Sequence, residues 1–277
     1  MGHFQSRRID GSLGLVGLAV ILACLPPGTA AADPPKLDLS WDACSPLVVD
    51  KTAGPGDQSF TLYCSVAGMT QQHRGYQVNL WFAGEMVCHD ETTTTPDAWR
   101  FDAAGCQAGL ATIAVSSTSK SCPPLAGTGT AVQAAAGFSY SVPNGITPPG
   151  AMRAFAAVAY VNTVQTPDPL KRYQLFSIRF DHADSVEGPG TPGATCGGFE
   201  QPVCFALFPR AGRLTGSCFG YAGYEDSYYL DAAEQPQEFA LGQPYLSFGR
   251  EPGVWQWCFE TTPARSTTWG AIKAQHR

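Results

Sequence analysis

Apolar and polar residues alternate with a period of two along several short stretches of this chain. Two such runs place these apolar residues on one face: Phe60, Leu62, Cys64 and Val66 in the first, and Tyr76, Val78, Leu80 and Phe82 in the second. In the second run, Gln77 and Asn79 mark the more polar face. Successive side chains of a β-strand point to opposite sides, so the pattern predicts half-buried strands.

Five further strand-like runs follow the same rule, and turn residues bound them. They span residues 111–115, 138–142, 152–161, 173–180 and 203–208. Gly, Pro, Asp and Asn separate the runs, as in Pro143-Asn144-Gly145. Many short strands at such spacing predict an all-β, antiparallel β-sandwich. The alanine-rich segment 131–136 is compatible with a short helix, although glycines crowd it.

The N-terminus has the pattern of a secretory signal peptide. Arg7 and Arg8 precede the apolar run 13–24, and small residues lead up to a cleavage site before Asp33. The run is shorter than the roughly 20 residues that a transmembrane helix needs. We therefore expect a secreted, periplasmic or cell-surface protein without a transmembrane span. Lipid anchoring at Cys24 is a minor alternative.

Composition shifts divide the chain into three predicted parts. Residues 1–32 form the signal peptide, 33–210 a β-sandwich domain with a loop at 185–195, and 211–277 an extension packed on the sandwich. The loop is rich in Gly and Pro and lacks apolar periodicity. A small second domain beginning at Cys196 is the alternative. The extension is expected to be loop-rich and to end in a short helix near 267–277.

Charge argues against two classes of partner. Removal of Arg7, Arg8 and Asp10 with the leader leaves 15 of the 17 basic and 22 of the 23 acidic residues. A mildly acidic chain without a basic cluster is not expected to bind nucleic acid or an anionic membrane. Hydrophobic residues make up 44% of the chain, which indicates a globular protein.

Nine cysteines remain after the leader is removed, and an oxidising compartment would pair most of them. The absence of Cys-x-x-Cys gives no support to a zinc ribbon or a redox pair. The sequence does not fix the connectivity. The pairs we expect are Cys44 with Cys106, Cys64 with Cys88, Cys196 with Cys204, and Cys218 with Cys258, with Cys122 left unpaired.

Two sets of motifs resemble known families. The succession GYQVNLWF, PDAWRFDAAGCQ and RYQLFSIRF is similar in strand order to cohesin-like β-sandwiches, so the expected sandwich is cohesin-like or immunoglobulin-like. WDACSP, CGGFEQPVC and the ending TPARSTTWGAIKAQHR resemble a family of exported bacterial proteins that share this ending. That second resemblance implies export and no particular activity. The many cysteines and the long tail depart from cohesins, so dockerin binding is not carried over.

Catalytic motifs are absent from the sequence. It has no Gly-x-Ser-x-Gly elbow and no His-Glu-x-x-His metal helix. Two clusters place a histidine among acids, at residues 88–91 and 181–184. As loop-end clusters they could donate oxygens to calcium, although solvated loop acids are the simpler interpretation. We expect no catalytic or metal residue and no cofactor, with calcium as the alternative.

Aromatic residues supply the binding candidates. Four tyrosines crowd around Glu225 and Asp226 in a polar segment: Tyr221, Tyr224, Tyr228 and Tyr229. Aromatic rings on a sandwich surface can stack on the apolar face of a sugar. Trp255 and Trp257 alternate on one strand face and are better explained as core. Carbohydrate or another surface protein are the partners that this cluster suggests.

These observations predict a non-catalytic exported module with a structural, surface or ligand-binding role. The first alternative is a secreted hydrolase acting on polysaccharide, with its acids brought together by the fold. A second alternative is a disulfide-linked oligomeric surface protein, in which the odd cysteine joins two chains.

Overall fold

The computed structural model describes residues 33–52, 59–84, 95–115, 121–126, 132–140, 150–161, 163–182, 185, 196–207, 227–243 and 245–249. Apart from Asp33, all of these residues belong to one compact unit, which begins at Pro34. The predicted signal peptide, Cys24 and the predicted C-terminal helix lie outside the described residues. No helix in the described part of the chain is long and apolar enough to cross a membrane.

The described residues form thirteen β-strands and one 3-10 turn, Asp97–Trp99, with no α-helix. The strands are β1 Lys36–Trp41, β2 Asp50–Lys51, β3 Ser59–Ala67, β4 His73–Ala83, β5 Ala111–Ala114, β6 Val132–Tyr140, β7 Met152–Tyr160, β8 Arg172–Asp181, β9 Val203–Leu207, β10 Tyr228–Asp231, β11 Pro236–Glu238, β12 Ala240–Gln243 and β13 Tyr245–Phe248.

The strands form two sheets. The five-stranded sheet has the order β12-β1-β3-β8-β5. In the eight-stranded sheet β7 lies along one side of β4, with β6 beyond it, while β9 and β10 share the other side. Most pairs are antiparallel, and the exceptions among the described strands are β1 with β12 and β13 with β2. The prediction of an all-β antiparallel sandwich is confirmed.

One hydrophobic core joins the inner faces of both sheets, and aromatic rings fill much of it. Trp41 of β1 meets Phe205 of β9 edge to face at 5.1 Å between ring centroids. Phe82 of β4 meets Phe180 of β8 at 5.9 Å. Phe82 belongs to an alternating run and Phe205 to a continuous apolar run, so the apolar pattern of these strands accounts for much of the packing.

A buried ion pair strengthens the five-stranded sheet. Arg172 of β8 donates to Asp38 of β1 and also to the Ser65 hydroxyl at 3.1 Å. Asp38 accepts a second bond from the Gln243 backbone N–H at 2.5 Å. The carboxylate thus ties three strands together where only 7% of its side chain is exposed. Hydrogen bonds of this kind are what make a buried charge tolerable.

The alanine-rich segment is a strand and not a helix. β6 pairs residue by residue with β7, from Val132 opposite Tyr160 to Tyr140 opposite Met152. Helix propensity is a weak preference, and the continuous ladder with β7 overrides it. β6 therefore includes the described residues 138–140 of the predicted run 138–142 and begins earlier than the sequence pattern indicated.

Strands that follow the Gly/Pro-rich loop belong to the same two sheets as those before it. β9 pairs with β4, β10 pairs with β4, and β12 pairs with β1. The apolar run at 203–208, expected to deliver a strand to the sandwich, does so as β9. The division of the chain at residue 210 stays a prediction.

The structure corrects the expected disulfides. Cys44 is bonded to Cys122, and Cys106 is bonded to Cys196. The pairs Cys44–Cys106 and Cys196–Cys204 are therefore wrong, as is the prediction that Cys122 stays unpaired. Cys204 is disulfide-bonded as well, but not to Cys196. The expected pairs join cysteines that lie closer in sequence, whereas the two bonds span separations of 78 and 90 residues.

A hydrogen bond next to the Cys44–Cys122 disulfide helps to hold its two loops together, and the free Cys64 is buried. The Cys44 N–H donates to the Ser121 hydroxyl at 2.9 Å, which holds the two loops together. Cys64 is a free, fully buried cysteine on the inner face of β3, so the pair Cys64–Cys88 is wrong. Burial raises the pKa of its thiol well above the usual range, which keeps it unreactive. The pair Cys218–Cys258 lies outside the described residues.

Candidate ligand-binding groove

A shallow groove lies on the outer face of the eight-stranded sheet, where β6, β7, β4 and β10 run side by side. Strand register places residues from all four strands in two adjacent rows. The first row is Ala135, Ala157, Gln77 and Tyr228, and the second is Gln133, Ala159, Gly75 and Leu230. Alternate residues of a strand share a face, so both rows lie on the same side of the sheet.

This outer groove has a volume of about 320 Å³, near the lower end of the roughly 300–1,000 Å³ common for small-molecule sites. Its lining is Tyr76, Gln77, Gln133, Ala134, Ala135, Ala157, Val158, Ala159, Tyr228 and Leu230. None of these side chains carries a charge at neutral pH. The groove therefore offers an apolar floor, the amides of Gln77 and Gln133, and the aromatic ring of Tyr228.

Small residues keep the floor of the groove low. Alanines from β6 and β7 lie opposite one another across the ladder at Ala135 and Ala157. At Gly75 a Cβ atom would collide with the backbone carbonyl of Val158, so only glycine fits. Without these small side chains the strands would present an ordinary filled surface.

An aromatic ring and an arginine border the groove on the next rows. Phe155 lies opposite Gly137 and close to its Cα, where an added Cβ would come within 3.0 Å of the ring. The Arg153 guanidinium lies 5.6 Å from the centre of the Phe155 ring. It also donates two hydrogen bonds to the Asn79 side-chain oxygen, at 2.9 and 2.7 Å. These contacts fix the arginine beside the groove and leave the lining itself uncharged.

The four tyrosines predicted to bind a ligand do not act together in the described structure. Tyr228 is half-buried and lines the groove. Tyr229 points the other way, is 2% exposed, and packs on Phe239 at 5.1 Å. Burial raises the pKa of Tyr229, and its hydroxyl donates to Gln71 at 3.3 Å. Tyr221 and Tyr224 lie outside the described residues, as do Trp255 and Trp257.

The histidine and acid clusters do not form a site in the described residues. His182 is fully buried among aromatic rings, with Trp99 at 4.5 Å and Phe199 at 4.7 Å. Burial of the His182 ring lowers its pKa to about 4. It therefore stays neutral at physiological pH and faces the core. The cluster at 88–91 and Asp184 lie outside the described residues.

Metal binding has no candidate site in the part of the chain that the structure describes. There, no group of three or more His, Cys, Asp or Glu side chains lies close enough to hold an ion. The expectation of no cofactor, with calcium as the alternative, stays a prediction. Described acids instead pair with single basic residues, as Asp102 does with Arg100 at 3.2 Å.

Sequence reasoning found parts of the groove without recognising the whole. The alternating pattern places Gln77 on the more polar face of its strand, and the tyrosine cluster makes Tyr228 a binding candidate. The alanines and Gln133 were missed, because a run of alanines carries no period-two signal. Only the register of four strands brings these positions together.

Comparisons with known proteins give weak structural likenesses. No family model matches the chain, and no curated protein matches it. Among solved structures, the second type II cohesin module of the cellulosomal adaptor ScaA scaffoldin from Acetivibrio cellulolyticus is 10% identical, with a TM-score of 0.38. That match covers 79% of this chain and 99% of the module.

Two further structures are similar to a comparable or lower degree. A type II cohesin domain from the cellulosome of Acetivibrio cellulolyticus is 10% identical, with a TM-score of 0.39, covering 78% of this chain and 96% of the domain. A non-cellulosomal cohesin from Archaeoglobus fulgidus is 8% identical, with a TM-score of 0.26, covering 77% and 89%. A likeness this weak does not indicate what the chain binds.

Proposed function

We propose that this chain is an exported, non-catalytic binding module and that its outer groove holds a segment of neutral saccharide. The observation that carries the proposal is the groove's uncharged lining, which combines an alanine floor with Gln77, Gln133 and Tyr228. A groove without charge gives no electrostatic advantage to an anionic or cationic ligand.

The chemistry of the lining matches that of a sugar. A glutamine amide both donates and accepts hydrogen bonds, as a sugar hydroxyl does. A pyranose ring also has an apolar face, which can rest on Ala135 and Ala157 or stack against the ring of Tyr228. Each type of group in the groove therefore has a counterpart in a neutral saccharide.

Binding is favoured over hydrolysis because the groove contains no carboxylate. A glycosidase needs two carboxylic side chains flanking the bond, roughly 5 to 10 Å apart. None of the ten lining residues is Asp or Glu. The disulfide-linked oligomer gains no support either, since the one free cysteine among the described residues is buried.

The test begins with an array of neutral and charged oligosaccharides probed with the purified protein. We expect binding to neutral sugars, measured afterwards by titration calorimetry. The variant Ala135→Tyr fills the groove and should weaken binding by about tenfold or more, which is ~1.4 kcal/mol. The matched control is Ala136→Tyr. Ala136 is also exposed, but it is the next residue along β6 and therefore points to the face away from the groove.

Either of two results would refute the saccharide proposal. The first is an array on which no neutral sugar binds. The second is a bound sugar whose affinity falls equally in the Ala135→Tyr and Ala136→Tyr variants, since binding would then not depend on the groove. Capture of a protein partner by the same face, blocked by Ala135→Tyr, would replace the saccharide with a protein ligand.

Export is a separate part of the proposal with its own test. N-terminal sequencing of the protein recovered outside the cytoplasm should begin at Asp33. A chain that begins with a lipidated Cys24 would show that the protein is tethered to a membrane by lipid.

A further inference from the structure

In the described part of the chain, β6 forms an edge of the eight-stranded sheet, and its own residues lack the features that usually protect an edge. Among the described strands it pairs with β7 alone, in a register without a shift. Its nine residues include neither a charged side chain nor proline. Natural proteins blunt exposed edges with charges, proline or bulges, because an open row of N–H and C=O groups recruits another strand.

The exposed part of β6 is its alanine-rich half. Gln133, Ala134, Ala135 and Ala136 are all exposed, although neighbouring residues of a strand point to opposite faces. Both faces of the strand are therefore open at this point. An added strand, lying roughly 4.8 Å away, would meet three alanines and the uncharged side chain of Gln133.

We propose that β6 pairs antiparallel with β6 of a second copy of this chain, joining two eight-stranded sheets into one. A two-fold contact sets a surface against itself, so like charges on that surface would face each other. β6 carries no charge and therefore meets this requirement, although the whole chain has a net charge of −6.

The arginines nearest to β6 also fit an antiparallel pair. The Arg100 guanidinium lies over the Tyr140 ring at 4.1 Å, and Arg153 lies opposite Ser139. Both are therefore at the C-terminal end of the strand. Antiparallel pairing places that end beside the N-terminal end of the other copy, so the arginines of the two copies stay apart. Parallel pairing would bring them together.

This pairing would place both outer grooves on the same side of one continuous sheet. The two-fold axis of an antiparallel strand pair can run perpendicular to the sheet, which leaves the outer faces of both copies pointing the same way. A long neutral polysaccharide could then occupy two grooves, with a gain from effective concentration. This last step rests on the proposed function, whereas the pairing itself does not.

The test is sedimentation velocity of the purified protein over a wide range of concentrations, without any ligand. We expect a dimer that dissociates on dilution. Ala136→Lys and Ala136→Glu each place like charges across the axis, on the face away from the groove, and should raise the dissociation constant by about tenfold. A one-to-one mixture of the two variants should restore dimers, because the charges then attract.

The outcomes separate this proposal from saccharide binding. Monomers at every concentration would overturn the pairing, and so would a dimer that neither variant weakens. Failure of the mixture to restore dimers would also overturn it, as would a dimer band on a non-reducing denaturing gel, which would indicate a disulfide link. Saccharide affinity of the monomeric Ala136→Lys variant tests the groove independently.

Discussion

The two faces of strand β4 differ in what they contribute to the molecule. On the inner face Val78, Leu80 and Phe82 are fully buried and pack into the core between the sheets. On the outer face Gln77 lies in a row of alanines and Tyr228, where it lines the groove. One strand therefore stabilises the fold with one set of residues and offers a binding surface with the next.

The comparison shows where stability and binding can be changed separately. Inner-face residues are surrounded by other side chains, so any loss of volume leaves a cavity. Outer-face residues of the groove have solvent beside them, and surface changes usually alter stability by less than about 0.5 kcal/mol. Substitutions in the core should therefore change the free energy of unfolding, and substitutions in the groove should change affinity.

The largest expected effect comes from Trp99→Ala. Trp99 is fully buried, with Phe248 at 4.7 Å and Phe180 at 5.5 Å between ring centroids. Removal of such a ring should lower the free energy of unfolding by roughly 3 to 5 kcal/mol. Urea denaturation measures the loss. The control is Tyr63→Ala on the half-buried outer face of β3, and an equal loss there would contradict the assignment of Trp99 to the core.

The next effect is expected from Arg172→Met. The substitution leaves the Asp38 carboxylate buried without its cation, which should lower the free energy of unfolding by about 3 kcal/mol or more. Lys51→Met removes the partner of the exposed Asp42. This change should alter the free energy of unfolding by less than about 1 kcal/mol. If both variants lost a similar amount of unfolding free energy, the larger contribution assigned to the buried Asp38 pair would be contradicted.

Acid should destabilise the core through its buried histidines. Burial lowers the pKa of both His73 and His182 to about 4, from an ordinary value near 6.5. The folded state thus favours the neutral rings. Their contribution to the free energy of unfolding is therefore full above pH 6.5 and is lost as the pH falls towards 4. Each shift corresponds to roughly 3 kcal/mol at the acid end.

The variant His182→Phe isolates one of these two contributions. Phenylalanine fits the surrounding aromatic rings and does not titrate, so the variant should lose less stability between pH 6.5 and 4 than the unmodified protein. Urea denaturation at several pH values measures this difference. Parallel profiles for the two proteins would contradict the account of His182.

The smallest effect on stability, and the sharpest contrast, comes from two neighbouring residues of β4. Gln77→Ala should change the free energy of unfolding by less than about 0.5 kcal/mol and weaken saccharide binding. Val78→Ala should lower the free energy of unfolding by roughly 2 kcal/mol and leave affinity unchanged. Urea denaturation measures the stability of both variants, and titration calorimetry measures their saccharide affinity. A Gln77→Ala variant that loses stability and a Val78→Ala variant that loses affinity would refute the assignment of stability to the inner face and binding to the outer face.

The core strands could be predicted from sequence because their patterns are strong. β3, β4, β7, β8 and β9 each carry apolar residues with clear alternation or continuous apolar runs, and each lies where the pattern placed it. β1 was missed although Leu37, Leu39 and Trp41 alternate, since it is short and follows two prolines. β10 to β13 are shorter still, and β10 and β12 pair with β4 and β1, which lie far away in sequence.

The disulfides and the groove could not be predicted, for a shared physical reason. Both depend on which strands become neighbours, and long-range pairing brings together residues such as Gln77 and Tyr228 or Cys106 and Cys196. No local pattern encodes that register. β6 adds a second difficulty, because alanine has neither the size nor the polarity to mark a face.

The most direct test of the groove is an NMR titration of the purified protein with the neutral oligosaccharide that binds most tightly. Saturation should shift the side-chain amide signals of Gln77 and Gln133 and the backbone signals of Ala135 and Ala157 more than any signal from the five-stranded sheet. Shifts that instead cluster around Tyr63 on the outer face of β3, or no shifts at all, would contradict the account.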